Sequence, residues 1–117
     1  MIDTSDTVQD EFAKVVWCLK NQQPLAKPVV IMVHEDSCPA CTAGKDNLKA
    51  LADNGYRDKV DFYLSTFHTF QELSLSPEVN VIPTQLLFDC QGSLQLLATG
   101  ASVEQLRKAL EGIFPAH

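Results

Sequence analysis

Apolar residues recur at helical spacing near the start of the chain. Phe12, Val15, Val16 and Leu19 share one face, with Asp, Gln and Lys elsewhere, so residues 6–22 read as a helix. Asn21-Gln22-Gln23-Pro24 ends it. Val29 to His34 is then a continuous apolar run between a proline and a polar loop. Its length and β-branching predict a strand buried on both faces. Residues 39–54 read as the next helix, with Leu48, Leu51 and Ala52 on the inner face and Asn54-Gly55 as a C-terminal stop. Val60 to Leu64 is a second strand, and Phe67 to Ser76 a short helix or helical turns ended by Pro77. Thr84 to Phe88 is a third strand. Asp89-Cys90-Gln91-Gly92 has turn chemistry, and Ser93 to Ala98 returns as the second arm of a hairpin. Ser102-Val103-Glu104-Gln105 fits a capping box, and the last helix turns Val103, Leu106, Leu110 and Ile113 inward.

The order is therefore α-β-α-β-α-β-β-α. Alternation followed by a hairpin implies an α/β fold, with a mixed sheet covered by helices on both faces. No internal repeat, low-complexity stretch or linker divides the 117 residues, which suit one domain: an N-terminal helical segment, 1–27, leading into a core, 28–117. Apolar residues at 45% and charged residues at 21% are ordinary globular values. The net charge of −6, with no basic cluster, argues against nucleic acid or an anionic membrane surface as partner. No apolar stretch approaches transmembrane length. The start, Met1-Ile2-Asp3-Thr4-Ser5-Asp6, lacks the basic and apolar regions of a signal peptide, so a cytoplasmic location is expected. In such a chain four cysteines do not suggest a disulfide scaffold.

They suggest redox chemistry instead. Cys38-Pro39-Ala40-Cys41 stands between the buried strand and the helix that follows it. Proline is favoured at the first helical position, where its missing N–H costs nothing. With Pro39 there, Cys38 is the N-cap, and its sulfur faces N–H groups that have no partner inside the helix. The helix macrodipole adds partial positive charge at the same point, and both effects favour thiolate, the nucleophilic form. Cys41, one turn along and pointing inward, is the natural resolving thiol. The second anchor is Ile82-Pro83-Thr84, a proline opening an apolar strand that reads as central. A cis Ile82–Pro83 bond reconciles the two by turning the chain sharply.

In these features the chain resembles the thioredoxin family from about Val29 to Phe114: strand, CPAC, helix, then Ile82-Pro83-Thr84, Leu87-Phe88 with a turn at Gly92, and Gly100 before the closing helix. The resemblance implies a thioredoxin-like three-layer sandwich, a mixed central sheet of about four strands with helices on both faces. It implies that Pro83 is cis and faces Cys38. It also implies that Pro39, Ala40 and Pro83 shape the site, and that Ile82, Thr84 and Gly100 line a groove where a substrate segment pairs like an added strand. The implied activity is thiol–disulfide exchange, reduction favoured over oxidation. Cys38 attacks a protein disulfide and Cys41 resolves the mixed disulfide, in the service of electron transport and cell redox homeostasis. The redox-active disulfide is the only group needed; no cofactor or metal is implied. The electron donor would be a thioredoxin reductase or glutathione.

The sequence also departs from that family. The intervening dipeptide is Pro-Ala rather than Gly-Pro, which is similar to glutaredoxins. Ser37 replaces the tryptophan before the first cysteine, and the buried acid of the preceding strand falls at Met32. These departures keep an alternative open: a thioredoxin-fold redox sensor or partner-binding module with little turnover. A peroxide or arsenate-type reductase is a further one. His34 is either a group that favours the Cys38 thiolate or takes the Cys41 proton, or a strand-end histidine packed on the helix. Glu35 and Asp36 either oppose the Cys38 thiolate or are solvated loop residues. Cys18 reads as an inert helix thiol, and Cys90 as a turn residue or a site for glutathionylation or chain linkage. His68 and His117 carry no spacing signal, and no second CxxC or HxxxH completes a zinc site.

Overall fold

A computed structural model describes residues 2–3 and 10–114. Strand β2 (Val29–His34) is buried at every residue, because both faces of the sheet are covered there. It pairs in parallel with β3 (Asp61–Thr66), Val29 against Asp61 through His34 against Thr66. On its other side it pairs antiparallel with β4 (Thr84–Phe88), Val29 against Phe88 and Val33 against Thr84. β5 (Leu94–Thr99) returns antiparallel to β4. These are the four expected strands. A two-residue strand, β1 (Ile2–Asp3), adds a fifth at the far edge, parallel to Tyr63 and Leu64 of β3, giving the order β1-β3-β2-β4-β5. Two residues are too few to show the alternation by which a strand is read from sequence, so the N-terminal segment, expected to be helical, also contributes this short strand.

Alternation along β2 divides the core. Val29, Ile31 and Val33 point to a layer built by α1 (Asp10–Lys20) and α3 (Phe67–Glu72), where Phe12, Val15, Val16, Tyr63, Phe70, Leu86 and Phe88 join them. Val30 and Met32 point to the opposite layer, built by α2 (Pro39–Leu51) and α4 (Glu104–Ile113), with Leu48, Leu51, Phe62, Leu87, Leu106 and Leu110. The result is a three-layer α/β sandwich. Among the described residues no helix is long and apolar enough to cross a membrane.

The helix ends differ from the sequence reading in four places, one of them α3, which stops at Glu72 rather than running to Ser76 and is followed by Ser74 at φ +53°. Residues 6–9 of the first expected helix lie outside the described residues. α1 closes at Lys20, with Gln22 at φ +54° and the Gln23 N–H donating to the Cys18 carbonyl, the bond of a Schellman ending. α2 runs regularly only to Leu51. A wider turn follows over Ala52–Tyr56, in which Gly55 takes φ +98° and so provides the stop. The capping box at Ser102 is not formed as expected. The Ser102 hydroxyl does accept from the Glu104 N–H (3.4 Å), but Val103 holds the N-cap position, and Glu104 bonds Arg107 one turn on. With the helix starting one residue later than the box requires, Gln105 sits at the second helical position instead of the third, from which a side chain reaches back to the N-cap.

Candidate active site

β2 ends at His34, and the loop Glu35-Asp36-Ser37 carries the chain to Cys38 at the start of α2. Cys38 is the N-cap, in extended conformation (φ −118°, ψ 107°), and Pro39 is the first helical residue. The geometry gives the sulfur a backbone donor: the Cys41 N–H points at Cys38 Sγ, 3.1 Å away. The Thr42 N–H takes the Cys38 carbonyl at 3.1 Å, closing the first turn. Cys38 is half-buried and Pro39 and Ala40 are exposed, whereas Cys41 is 1% exposed. The pair is thus ordered, with one sulfur at the surface and the other behind it.

Burial pushes the Cys41 thiol up from the ordinary 9.0 to about 11. Its hydrogen bond to Cys38 and the Cys38 charge add to the rise, while the Glu35 backbone N–H and the Lys45 charge oppose it. Cys41 therefore holds its proton at neutral pH. Among the described residues no carboxylate side chain is a cause of this shift, in keeping with Met32 on the strand beneath. Met32 instead packs against α2 at Gly44, where an added Cβ would lie 3.4 Å from its Cε. His34 is fully buried at the end of β2, Glu35 is half-buried and Asp36 exposed.

The second half of the site comes from the other side of β2. Since Val33 pairs with Thr84, Pro83 lies at the end of β2 from which the loop to Cys38 departs. The Ile82–Pro83 bond is cis, as is Ser76–Pro77. Pro83 and Thr84 are buried, and the Thr84 hydroxyl donates to the Val81 carbonyl. Ile82 is half-buried against the α1/α3 layer, and Val81 before it is 55% exposed. Gly100, at φ +96°, donates its N–H to the Pro83 carbonyl (2.9 Å), so these two are brought together as an extension of the β4–β5 pairing.

Two residues that sequence reasoning passed over also meet here. Gln85 is fully buried on β4 and donates from Nε2 to the Gly100 carbonyl (3.0 Å). Asn47 on α2 donates from Nδ2 to the Ala101 carbonyl (2.9 Å). A signal for the first was present, since Gln85 is the one amide inside an otherwise apolar strand. Asn47 carried none, being a polar residue on an exposed helix face. Cys18 and Cys90 are half-buried and free, on α1 and in the β4–β5 turn. His68 pairs with Glu72 on the surface of α3, and His117 lies outside the described residues. Among the described residues no group of three or more His, Cys, Asp or Glu side chains is placed to hold a metal ion.

No family model and no curated protein matches the sequence. Solved structures match the fold. Thioredoxin f2 from Chlamydomonas reinhardtii is similar over 100% of this chain and 99% of its own, with a TM-score of 0.71 at 19% identity. Thioredoxin NaTrxh from Nicotiana alata covers 95% of this chain and 90% of its own, with a TM-score of 0.72 at 21% identity. Thioredoxin from Trypanosoma brucei brucei covers 97% and 90%, with a TM-score of 0.70 at 18% identity. The chain has the thioredoxin fold.

Proposed function

We propose that the protein is a thiol–disulfide oxidoreductase that reduces protein disulfides through Cys38 and Cys41. One observation carries the reading. A half-buried N-cap sulfur accepts the N–H of a buried second cysteine, at the start of a helix in a fold shared with thioredoxins. Cys38, as thiolate, attacks one sulfur of the partner's disulfide. The other partner sulfur leaves as a thiolate, and a mixed disulfide links the two proteins. Cys41 then loses its proton and attacks the Cys38 sulfur, releasing the second partner thiolate. The partner gains two electrons, and Cys38–Cys41 becomes the disulfide. A thioredoxin reductase or glutathione returns it to the dithiol. Pro39, Ala40 and Pro83 shape the site in this scheme, and Ile82, Thr84 and Gly100 receive the partner segment by strand addition.

Equilibration in thiol buffers, read by alkylation and mass, tests the reading. A reversible Cys38–Cys41 couple near about −270 mV, the thioredoxin value, fits a reductase. A couple tens of millivolts higher fits an oxidising or glutaredoxin-like role. If no such disulfide forms, the assignment fails. With Cys38→Ser, protein-disulfide reduction should vanish, and with Cys41→Ser a mixed disulfide should accumulate.

A second reading, a redox sensor with little turnover, draws on the raised Cys41 thiol and on Met32 at the position of an acid. It is separated from the first by turnover with a generic protein disulfide. A sensor oxidises reversibly but cycles poorly.

A further inference from the structure

The segment Gly100–Ala101, between β5 and α4, borders the groove of the proposed function. Its two successive carbonyls are both taken by side-chain amides, and the amides come from different layers. Gln85 holds the Gly100 carbonyl from within the sheet, and Asn47 holds the Ala101 carbonyl from α2, less than two turns beyond Cys41. The Gly100 N–H is meanwhile tied to Pro83, on the other wall of the groove. Ala101 also rests on the same helix, its Cα 3.6 Å from where a Gly44 Cβ would stand.

Gln85 is an improbable residue for its place if stability were its role. It is fully buried, opposite Met32 and followed by Leu86 and Leu87. Its Oε1 has no hydrogen-bond partner among the described residues. A buried acceptor left unmade is destabilising, and an apolar side chain of the same length would avoid that cost. Turning the amide over would set Oε1 against the Gly100 oxygen, acceptor against acceptor, so only the observed orientation keeps the bond.

We propose that Gln85 and Asn47 are positioning residues: they clamp the Gly100–Ala101 rim between the sheet and the redox helix, and so determine how tightly a protein-disulfide partner is held. This rests on the oxidoreductase reading above. An added strand needs backbone groups held in register about 4.8 Å away. A rim that drifts must be ordered again on each binding event, which weakens the complex without touching the sulfur chemistry.

The test uses Gln85→Met, which keeps length and removes the unpartnered oxygen, and Asn47→Ala, at an exposed helix position where alanine is the best helix former. Each variant should raise KM for a protein disulfide roughly five- to tenfold with kcat nearly unchanged. The Cys38–Cys41 reduction potential should stay in place, and Gln85→Met should remain folded, relief of the unpartnered oxygen offsetting part of the loss of the amide donor to the Gly100 carbonyl. Amide hydrogen exchange around Gly100 and Ala101 should quicken in both. Asn47→Asp, which keeps the shape but loses the donor, should behave as Asn47→Ala does. Exchange and KM unmoved in both variants would overturn the clamp. So would a fall in kcat or a shifted potential at constant KM, which would place the residues in service of the sulfurs. A wild-type protein that reduces no protein disulfide overturns the underlying reading instead, and exchange still decides the clamp.

Discussion

The buried Cys41 thiol makes a quantitative demand on pH. Its pKa stands at about 11 in the folded, reduced protein against an ordinary 9.0, and burial is the largest cause. One pK unit is worth about 1.4 kcal/mol, so the difference amounts to about 3 kcal/mol. Because the folded value is the raised one, the unfolded chain loses this proton first as pH climbs. The contribution is complete below pH 9 and is lost as pH rises to about 11. Urea unfolding of the reduced protein and of Cys41→Ala across pH 8 to 11 isolates it, since other groups titrate in both. The difference in stability between them should shrink by about 2–3 kcal/mol across that window. The same proton governs turnover. At pH 7 a thiol with a pKa of about 11 is roughly one part in ten thousand thiolate. In the mixed disulfide the two Cys38 contributions vanish and burial remains the largest influence on Cys41. Release of thionitrobenzoate from its Cys38 adduct, followed by stopped flow, should therefore keep accelerating with pH above 7, about tenfold per unit while the pH lies below the raised pKa of Cys41. A plateau below about pH 8, or a stability difference constant to pH 11, would refute the reasoning: it would mean that a group inside the protein takes the Cys41 proton near neutrality.

Two further substitutions follow from the packing. Gly44→Ala should stabilise the protein by about 0.5–1 kcal/mol in thermal melts, because the helix gains alanine's propensity while the new Cβ meets Met32 and Ala101 only at ordinary contact, 3.4–3.6 Å; Gly44→Leu, driven into the same contacts, should destabilise it by about 1–3 kcal/mol. Tyr63 is fully buried and its hydroxyl donates to Glu11 Oε1 at 3.2 Å, so Tyr63→Phe should cost about 1 kcal/mol in urea unfolding, since the exposed Glu11 returns to water.

Where the sequence was read well, the signal was local or periodic. β2 and β4 were placed at their observed bounds because an uninterrupted apolar run fits a strand covered on both sides. Phe12, Val15, Val16 and Leu48 were assigned inward from 3.6-residue spacing alone, and they are buried. The misses were of other kinds. The strand Ile2–Asp3 is defined by pairing with β3 rather than by any pattern of its own. The Ser102 box does not form because the last helix takes Val103 as its N-cap, which moves Gln105 out of the third helical position. Gln85 and Asn47 escaped notice because the carbonyls they hold lie 15 and 54 residues along the chain.

The same division runs through the site itself. The sequence alone determined the arrangement of Cys38, Pro39 and Cys41, because an N-cap and the N–H that answers it are separated by three residues and need only the first helical turn. Only the tertiary structure decided how deep Cys41 lies, which groups act on its proton, and how Gly100 is held against Pro83. Desolvation and hydrogen bonds between layers come into being when the layers pack, and no stretch of chain carries them by itself.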